Sequence, residues 1–414
     1  MSERNLPTDP YKGTRDFYPE DMAVQRYIFD TWAKTAELFG FERYDASVLE
    51  PSELYKSKGA ENEEMVNEQT YTFIDRGDRE VTLRPEMTPT VARMVAAKRR
   101  DLSFPVRWYS IPNLFRYERP QRGRLREHWQ LNCDMFGAQD AAADIEIIAL
   151  AAQTLIAFGA TPDMFGIRIN NRATLNAYLE NAGITDDATI RAVTNVIDKK
   201  AKVSASEFDA MLTTAAGREL TLPEETPLEV QIVLDGLTAL GITNAVYDPS
   251  IVRGFSYYTG TVFEVFDTSS ENNRALLGGG RYDDLTSMFG GEPITGIGFG
   301  MGDVTMRDFL ETHGLLPDSV RITAPTVAIL PTDKAFNLSA AAIAGEFREA
   351  GIRTSVDISD KKIAKKIGSA SEQGTAYIVV VGEDEEREGT FILKALTTKE
   401  ETSGTISDLI AKIS

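Results

Sequence analysis

FRYERPQRGRLREHWQLNCDMFG, residues 115–137, places Arg116, Arg119, Arg122, Arg124 and Arg126 around a single glycine, Gly123. Extended runs at 114–118 and 127–136 flank this loop, so the segment is expected to form an antiparallel hairpin. With a side-chain period of two, Arg116 shares a face with Glu118, as Arg122 does with Arg124 and Arg126 across the turn. Guanidinium forks hold carboxylate and phosphate oxygens bidentately, which suits such a cluster to orienting an anionic ligand. A charged hairpin that merely faces water is the competing reading.

Working outward, residues 20–39 carry apolar positions at helical spacing and stop at Gly40, which predicts a first long helix. Strands are expected at 42–48, 70–75, 80–84, 107–111, 257–266 and 296–300, with Gly278-Gly279-Gly280 read as a turn. Helices are expected at 88–98 and 142–158, and a helical insertion at about 172–240. Beyond a proline-spaced linker at 317–325, strands at 326–330, 353–357 and 376–381 alternate with helices at 335–350 and 361–373. This alternation predicts a small, mainly parallel α/β domain.

The chain has 414 residues, 42% of them apolar and 26% charged, which indicates a globular protein of more than one domain. One cysteine, Cys133, excludes an internal disulfide framework and a multi-thiolate zinc site, and reads as a small buried filler. No leader segment and no apolar run of membrane-spanning length stands out, so a soluble cytoplasmic protein with no membrane partner is expected. The net charge of −19 argues against sequence-independent coating of nucleic acid, but not against a nucleic-acid substrate.

FRYERPQ followed by GRLREHWQ resembles motif 2 of class II aminoacyl-tRNA synthetases, in the version of the histidyl-tRNA synthetase family. The resemblance extends along nearly the whole chain. GTRDFYPED at 13–21, the long helix and LEP at 49–51 look like the family's start and motif 1, whose proline lies at a homodimer interface. LRPEMTP at 83–89 resembles the loop that holds the substrate's amino group, and IVRGFSYYTGTVFE at 251–264 the element that marks histidine-specific enzymes. GGGRYDDL at 278–285 and TGIGFGMG at 295–302 correspond to motif 3.

The resemblance implies an α+β chain: an antiparallel-sheet catalytic domain over 1–320 with the helical insertion, and an anticodon-binding domain over 325–414. It implies ATP-dependent activation of L-histidine, with Mg²⁺ on the outer phosphates, followed by transfer to the 3′ end of tRNA(His). Arg116 and Arg253 are the expected catalytic pair at the α-phosphate. Arg116, Glu118, Arg124 and His128 are assigned to ATP, with the His128 ring on adenine. Glu86, Met87, Thr88, Arg116, Gln130, Asp134, Arg253, Tyr257 and Tyr258 are assigned to histidine, whose ammonium, carboxylate and imidazole each need a partner. Gln121, Arg122, Lys362 and Lys366 are assigned to tRNA, the lysines because Lys361, Lys362, Lys365 and Lys366 are spaced to share one side of a helix.

The chain departs from the pattern at three positions. Thr305 stands where motif 3 carries the arginine that holds the γ-phosphate, with Arg307 two residues on. Asp134 stands where glutamate is more frequent, and Ser256 where aspartate is common. The string Gly296, Gly298, Gly300, Gly302 fails the dinucleotide-binding spacing and reads as close backbone approach to ATP. Two non-catalytic classes compete with this reading, a synthetase paralogue regulating histidine biosynthesis and a tRNA-sensing module. The retained terminal domain and RGFSYY element argue against the first, and the Glu86, Arg116, Gln130, Arg253 and Tyr258 set against the second.

Overall fold

Residues 127–136 form one uninterrupted strand because their two faces have different tasks. Leu131, Cys133 and Met135 are fully buried on one face, while Gln130, Asn132 and Asp134 occupy the other. The computed structural model describes residues 6–56, 69–200, 203–253, 257–272, 274–321 and 323–413. Two compact units emerge, Met1–Phe17 with Val24–Pro317, and Tyr18–Ala23 with Asp318–Ser414.

The strands before Pro317 are β1 (Glu42–Arg43), β2 (Leu49–Pro51), β3 (Tyr71–Ile74), β4 (Glu80–Leu83), β5 (Val106–Ser110), β6 (Asn113–Phe115), β7 (Glu127–Phe136), β8 (Phe165–Asn171), β9 (Ala245–Tyr247), β10 (Thr261–Asp267), β11 (Ala275–Arg281) and β12 (Gly296–Gly302). The helices are α1 (Pro19–Leu38), α2 (Glu53–Lys56), α3 (Thr88–Lys98), α4 (Ala141–Ala157), α5 (Arg172–Asn181), α6 (Asp187–Ile197), α7 (Ala205–Ala216), α8 (Leu228–Ala239) and α9 (Asp303–Thr312). The main sheet runs β1-β5-β7-β12-β11-β10-β8-β9, with β6 beside β7, and its interior pairs are antiparallel. β2, β4 and β3 make a separate small antiparallel sheet.

α4 begins where the Asp140 carboxylate accepts from the Ala142 N–H at 2.9 Å, and its residues Ile147, Leu150, Ala151 and Leu155 are fully buried. α4 and α9 both pack against β7, β11 and β12. Gly278, Gly279 and Gly280 are not the expected turn. They lie inside β11, paired with β10 on one side and β12 on the other. The helical segment also divides. α5, α6 and α7 enclose their own core of Leu175, Leu179, Val193, Ile197, Phe208 and Leu212, whereas α8 packs on α4, β8 and β9.

The second unit holds β13 (Val327–Pro331), β14 (Thr354–Val356), β15 (Tyr377–Val381), β16 (Phe391–Ala395) and β17 (Glu401–Gly404), in the order β14-β13-β15-β16-β17. The first three are parallel, as the alternation predicts, and β16 and β17 add an antiparallel edge. α10 (Asn337–Glu349) and α11 (Ile363–Glu372) follow β13 and β14. Among the described residues no helix is long and apolar enough to cross a membrane.

Candidate active site

The sheet order brings β7, β12, β11 and β10 side by side, and one face of β7 carries His128, Gln130 and Asp134 of the expected residues. Register sets Gly298 opposite Asp134, Gly302 opposite Gln130, Gly300 opposite Gly278, and Gly278 opposite Glu264. The glycines clear that face for neighbouring side chains. A methyl group at Gly300 would stand 2.6 Å from the Gln130 amide carbon, one at Gly298 would overlap the Asp134 carboxylate, and one at Gly278 would overlap the Arg253 guanidinium. Making room for these side chains is thus a second demand on the string, distinct from close approach to ATP.

Over this face opens a cleft of about 650 Å³ lined by Arg116, Glu118, Arg124, His128, Gln130, Arg253, Glu264, Arg274 and Thr305, among others. Arg116 follows directly on β6, and its Nε donates to the Pro85 carbonyl at 2.8 Å, which joins the hairpin to the 83–89 loop. Arg124 reaches back to Glu118 at 2.6 Å. Desolvation, with Arg116, Arg15 and Arg124 nearby, pushes the half-buried His128 imidazole down to about 3, so the ring is neutral and suited to stacking.

Arg253 adopts a left-handed backbone with φ of 58°, a costly conformation for a residue with a side chain. Its Nη1 pairs with Glu264, and the guanidinium lies 5.9 Å from the centre of the Tyr258 ring. Burial disfavours the charge, but Glu264 overrides it and holds the guanidinium firmly protonated. The Ser256 departure lies outside the described residues.

The histidine-assigned residues form a second, deeper cluster. The Tyr257 hydroxyl donates to Glu86 at 3.0 Å, and the rings of Tyr257 and Tyr258 lie 4.8 Å apart. Glu86 and Met87 are buried just ahead of α3, and Thr88 is that helix's first residue. Tyr282 donates its hydroxyl to Asp134 Oδ1 and packs edge-on against Tyr257 at 5.9 Å. Asp134 Oδ2 is buried without a hydrogen-bond partner. Burial raises Asp134 to about 7, Tyr282 lowering it and Glu86 adding to the rise. A buried carboxyl oxygen left unpaired, next to the Tyr282 hydroxyl and near Glu86, is a candidate partner for a polar group of a ligand.

The structure separates the hairpin arginines expected to share a face. Arg124 enters the cleft, Arg122 is exposed and donates to Asn272 at 3.1 Å, and Arg126 is buried, its Nε on the Glu118 carbonyl at 3.1 Å and its guanidinium over Tyr117. Gln121 lies exposed at the hairpin tip, bridged to Arg124.

Lys366 requires a correction. It is 4% exposed, and its ammonium donates to the carbonyls of Pro331 and Asp357 at 3.0 and 2.9 Å, so it cannot offer a surface charge to a phosphate backbone. Lys361 and Lys362 precede α11 rather than lying on it; Lys362 and Lys365 are exposed. Lys362→Glu is therefore expected to weaken tRNA charging several-fold and leave amino-acid activation unchanged. Lys366→Ala should instead destabilise the second unit by about 2 kcal/mol, by leaving two buried carbonyls unpaired. Charging kinetics and urea unfolding of the two variants check this contrast.

Sequence reasoning passed over Tyr282, Glu264 and Arg274. Tyr282 and Glu264 lie inside quoted motifs, but their partners, Asp134 and Arg253, are fixed only by strand order.

The sequence profile described as histidyl-tRNA synthetase matches residues 13–303, and that of an anticodon binding domain matches residues 326–414. A Histidine--tRNA ligase of Leptospira biflexa is 41% identical over 435 aligned positions, covering 100% of this chain and 99% of the relative. One of Opitutus terrae is 38% identical, covering 94% of each chain. The crystal structure of apo histidyl-tRNA synthetase from S. aureus superposes with a TM-score of 0.76 at 25% identity, covering 99% of both chains. With one profile spanning most of its length and 41% identity over all of it, the chain belongs to the histidyl-tRNA synthetase family.

Proposed function

We propose that the chain activates L-histidine with ATP to histidyl-adenylate and transfers the histidyl group to the 3′ end of tRNA(His), in the cytoplasm. The observation that carries this reading is one sheet face that serves both an arginine-lined cleft, which Gln130 borders, and a buried carboxyl, Asp134, whose Oδ2 lacks a partner. Residues 1–320 are read as the catalytic domain, with the insertion at about 172–240, and 325–414 as the anticodon-binding domain.

Histidine binds with its imidazole N–H on Asp134 and its ammonium facing Glu86, Thr88 and Gln130, beside Met87. Tyr257 and Tyr258 wall the ring. The carboxylate meets Arg116 at the junction. A carboxylate oxygen attacks the α-phosphorus, the bond to the bridging oxygen breaks, and pyrophosphate leaves. Arg116 and Arg253 stabilise the charge that builds on the α-phosphate, the largest catalytic need when two anions meet. His128 supports adenine, and Arg124 with Glu118 frames the nucleotide.

The described residues contain no cluster of three or more His, Cys, Asp or Glu side chains able to hold a metal. Mg²⁺ held mainly by phosphates needs only one or two carboxylates, and Glu118 lines the cleft beside Arg124 as a candidate. It would neutralise the outer phosphates and assist the leaving group. The β2-β4-β3 sheet leaves Leu49, Phe73 and Ile74 between 45% and 61% exposed, which supports a homodimer through motif 1. Gln121, Arg122 and Lys362 remain as tRNA contacts. Charging of a tRNA(His) transcript with labelled histidine tests the overall reaction; a purified chain that charges no tRNA with histidine would refute it.

A further inference from the structure

We propose that Arg274 grips the outer phosphates of ATP, the task for which Thr305 is unequipped. This rests on the assignment of the cleft to ATP and concerns how this particular chain meets that need. Of the described residues, five arginines line the cleft, Arg116, Arg124, Arg168, Arg253 and Arg274. Arg124 pairs with Glu118, Arg168 with Asp248 and Arg253 with Glu264. Among the described residues, Arg116 and Arg274 have no carboxylate partner, and Arg274 makes no hydrogen bond at all. Burial beside Arg124 lowers its proton affinity, with Glu118 only partly offsetting this, so a guanidinium is held where an anion would relieve it.

Neither residue from the motif 3 end is placed for this task. The Thr305 hydroxyl donates towards the carbonyls of Leu276 and Gly302, each at 3.2 Å, and offers the cleft no charge. Arg307 pairs with Glu311 one turn on and does not line the cleft. Arg274 stands immediately before β11, close to Thr305, and its stem crosses the hairpin turn at Gly123. A methyl group at Gly123, whose φ is +72°, would stand 2.9 Å from Arg274 Cδ and 3.4 Å from Thr305 Cγ2. The hairpin turn, Thr305 and Arg274 thus share one corner. Glu271 and Asp308 line a small adjoining cavity with Arg274, but neither pairs with it, and Arg122 lies 3.8 Å from Glu271. The sequence therefore supplies the missing cation from the preceding strand, some thirty positions upstream, in place of the helix that follows β12.

The test compares wild type, Arg274→Ala and Arg274→Lys in histidine-dependent ATP–pyrophosphate exchange, with calorimetric binding of a sulfamoyl analogue of histidyl-adenylate, which has no outer phosphates. Arg274→Ala is expected to raise the KM for both ATP and pyrophosphate by about 10- to 100-fold, as loss of charge-assisted hydrogen bonds does. Binding of the analogue should stay within about twofold of wild type, and Arg274→Lys should fall between. An unchanged ATP KM in Arg274→Ala would overturn the proposal, as would a parallel loss of analogue binding, which marks a structural role. A wild-type chain that binds neither ATP nor the analogue would overturn the cleft assignment itself.

Discussion

Arg253→Ala lowers histidine-dependent pyrophosphate exchange by about 10³-fold while the folded state persists. The guanidinium lines the cleft from a strained backbone, with φ of 58°, and is paired with Glu264. Strain of this kind survives only where surrounding structure enforces it. Removing a preorganised donor from the developing charge typically costs 10²- to 10³-fold in rate, and here a full positive charge goes with it. The loss should fall on kcat, because the interaction strengthens only as charge builds at the α-phosphate. Glu264→Gln separates positioning from charge. It should cost far less, since an arginine stays protonated without the carboxylate and the Gln oxygen can still accept from its guanidinium. An exchange rate in Arg253→Ala within tenfold of wild type would remove Arg253 from the reaction.

Asp134→Asn lowers kcat/KM for histidine by about 10²-fold and leaves the ATP KM little changed. An amide offers the Tyr282 hydroxyl an acceptor, yet turns a donor or a neutral oxygen towards the imidazole where a carboxyl now stands. Buried polar sites lose discrimination steeply when a partner is mispaired. The same substitution alters stability with pH. Asp134 is raised from 3.8 to about 7 in the fold, so its contribution is present below pH 4 and lost as pH rises towards 7. Asp134→Asn lacks this decline, which urea unfolding midpoints between pH 4.5 and 7.5 would register. Unaltered histidine kinetics in the variant would exclude Asp134 from ring recognition.

The sequence disclosed elements whose signal is local. Thr88–Lys98 and Glu127–Phe136 follow from helical spacing after a proline-bearing start and from strand alternation, and both appear at the expected bounds. Gly278–Gly280 misled because glycine ordinarily marks a turn, whereas here it spares space for Arg253 and the backbone of β12. β8 and the β16-β17 edge went unread, β8 because its pairing with β10 joins segments about a hundred residues apart.

Site residues followed the same division. Those inside motifs were legible one by one, but their partnerships were not. Tyr282 meets Asp134 across 148 positions and Tyr257 meets Glu86 across 171. Lys366 looked solvated because its carbonyl partners, Pro331 and Asp357, belong to the end of β13 and the residue after β14. Arg274 has no motif to announce it. Only the geometry of Gly123 and Thr305 shows where its charge lies.

The most direct measurement is ATP–pyrophosphate exchange by the purified chain with each of the twenty amino acids in turn. Exchange with histidine alone, dependent on Mg²⁺, is the predicted result. Exchange with none of them, or equally with several, would contradict a site built around Asp134, Glu86 and the arginine-lined cleft.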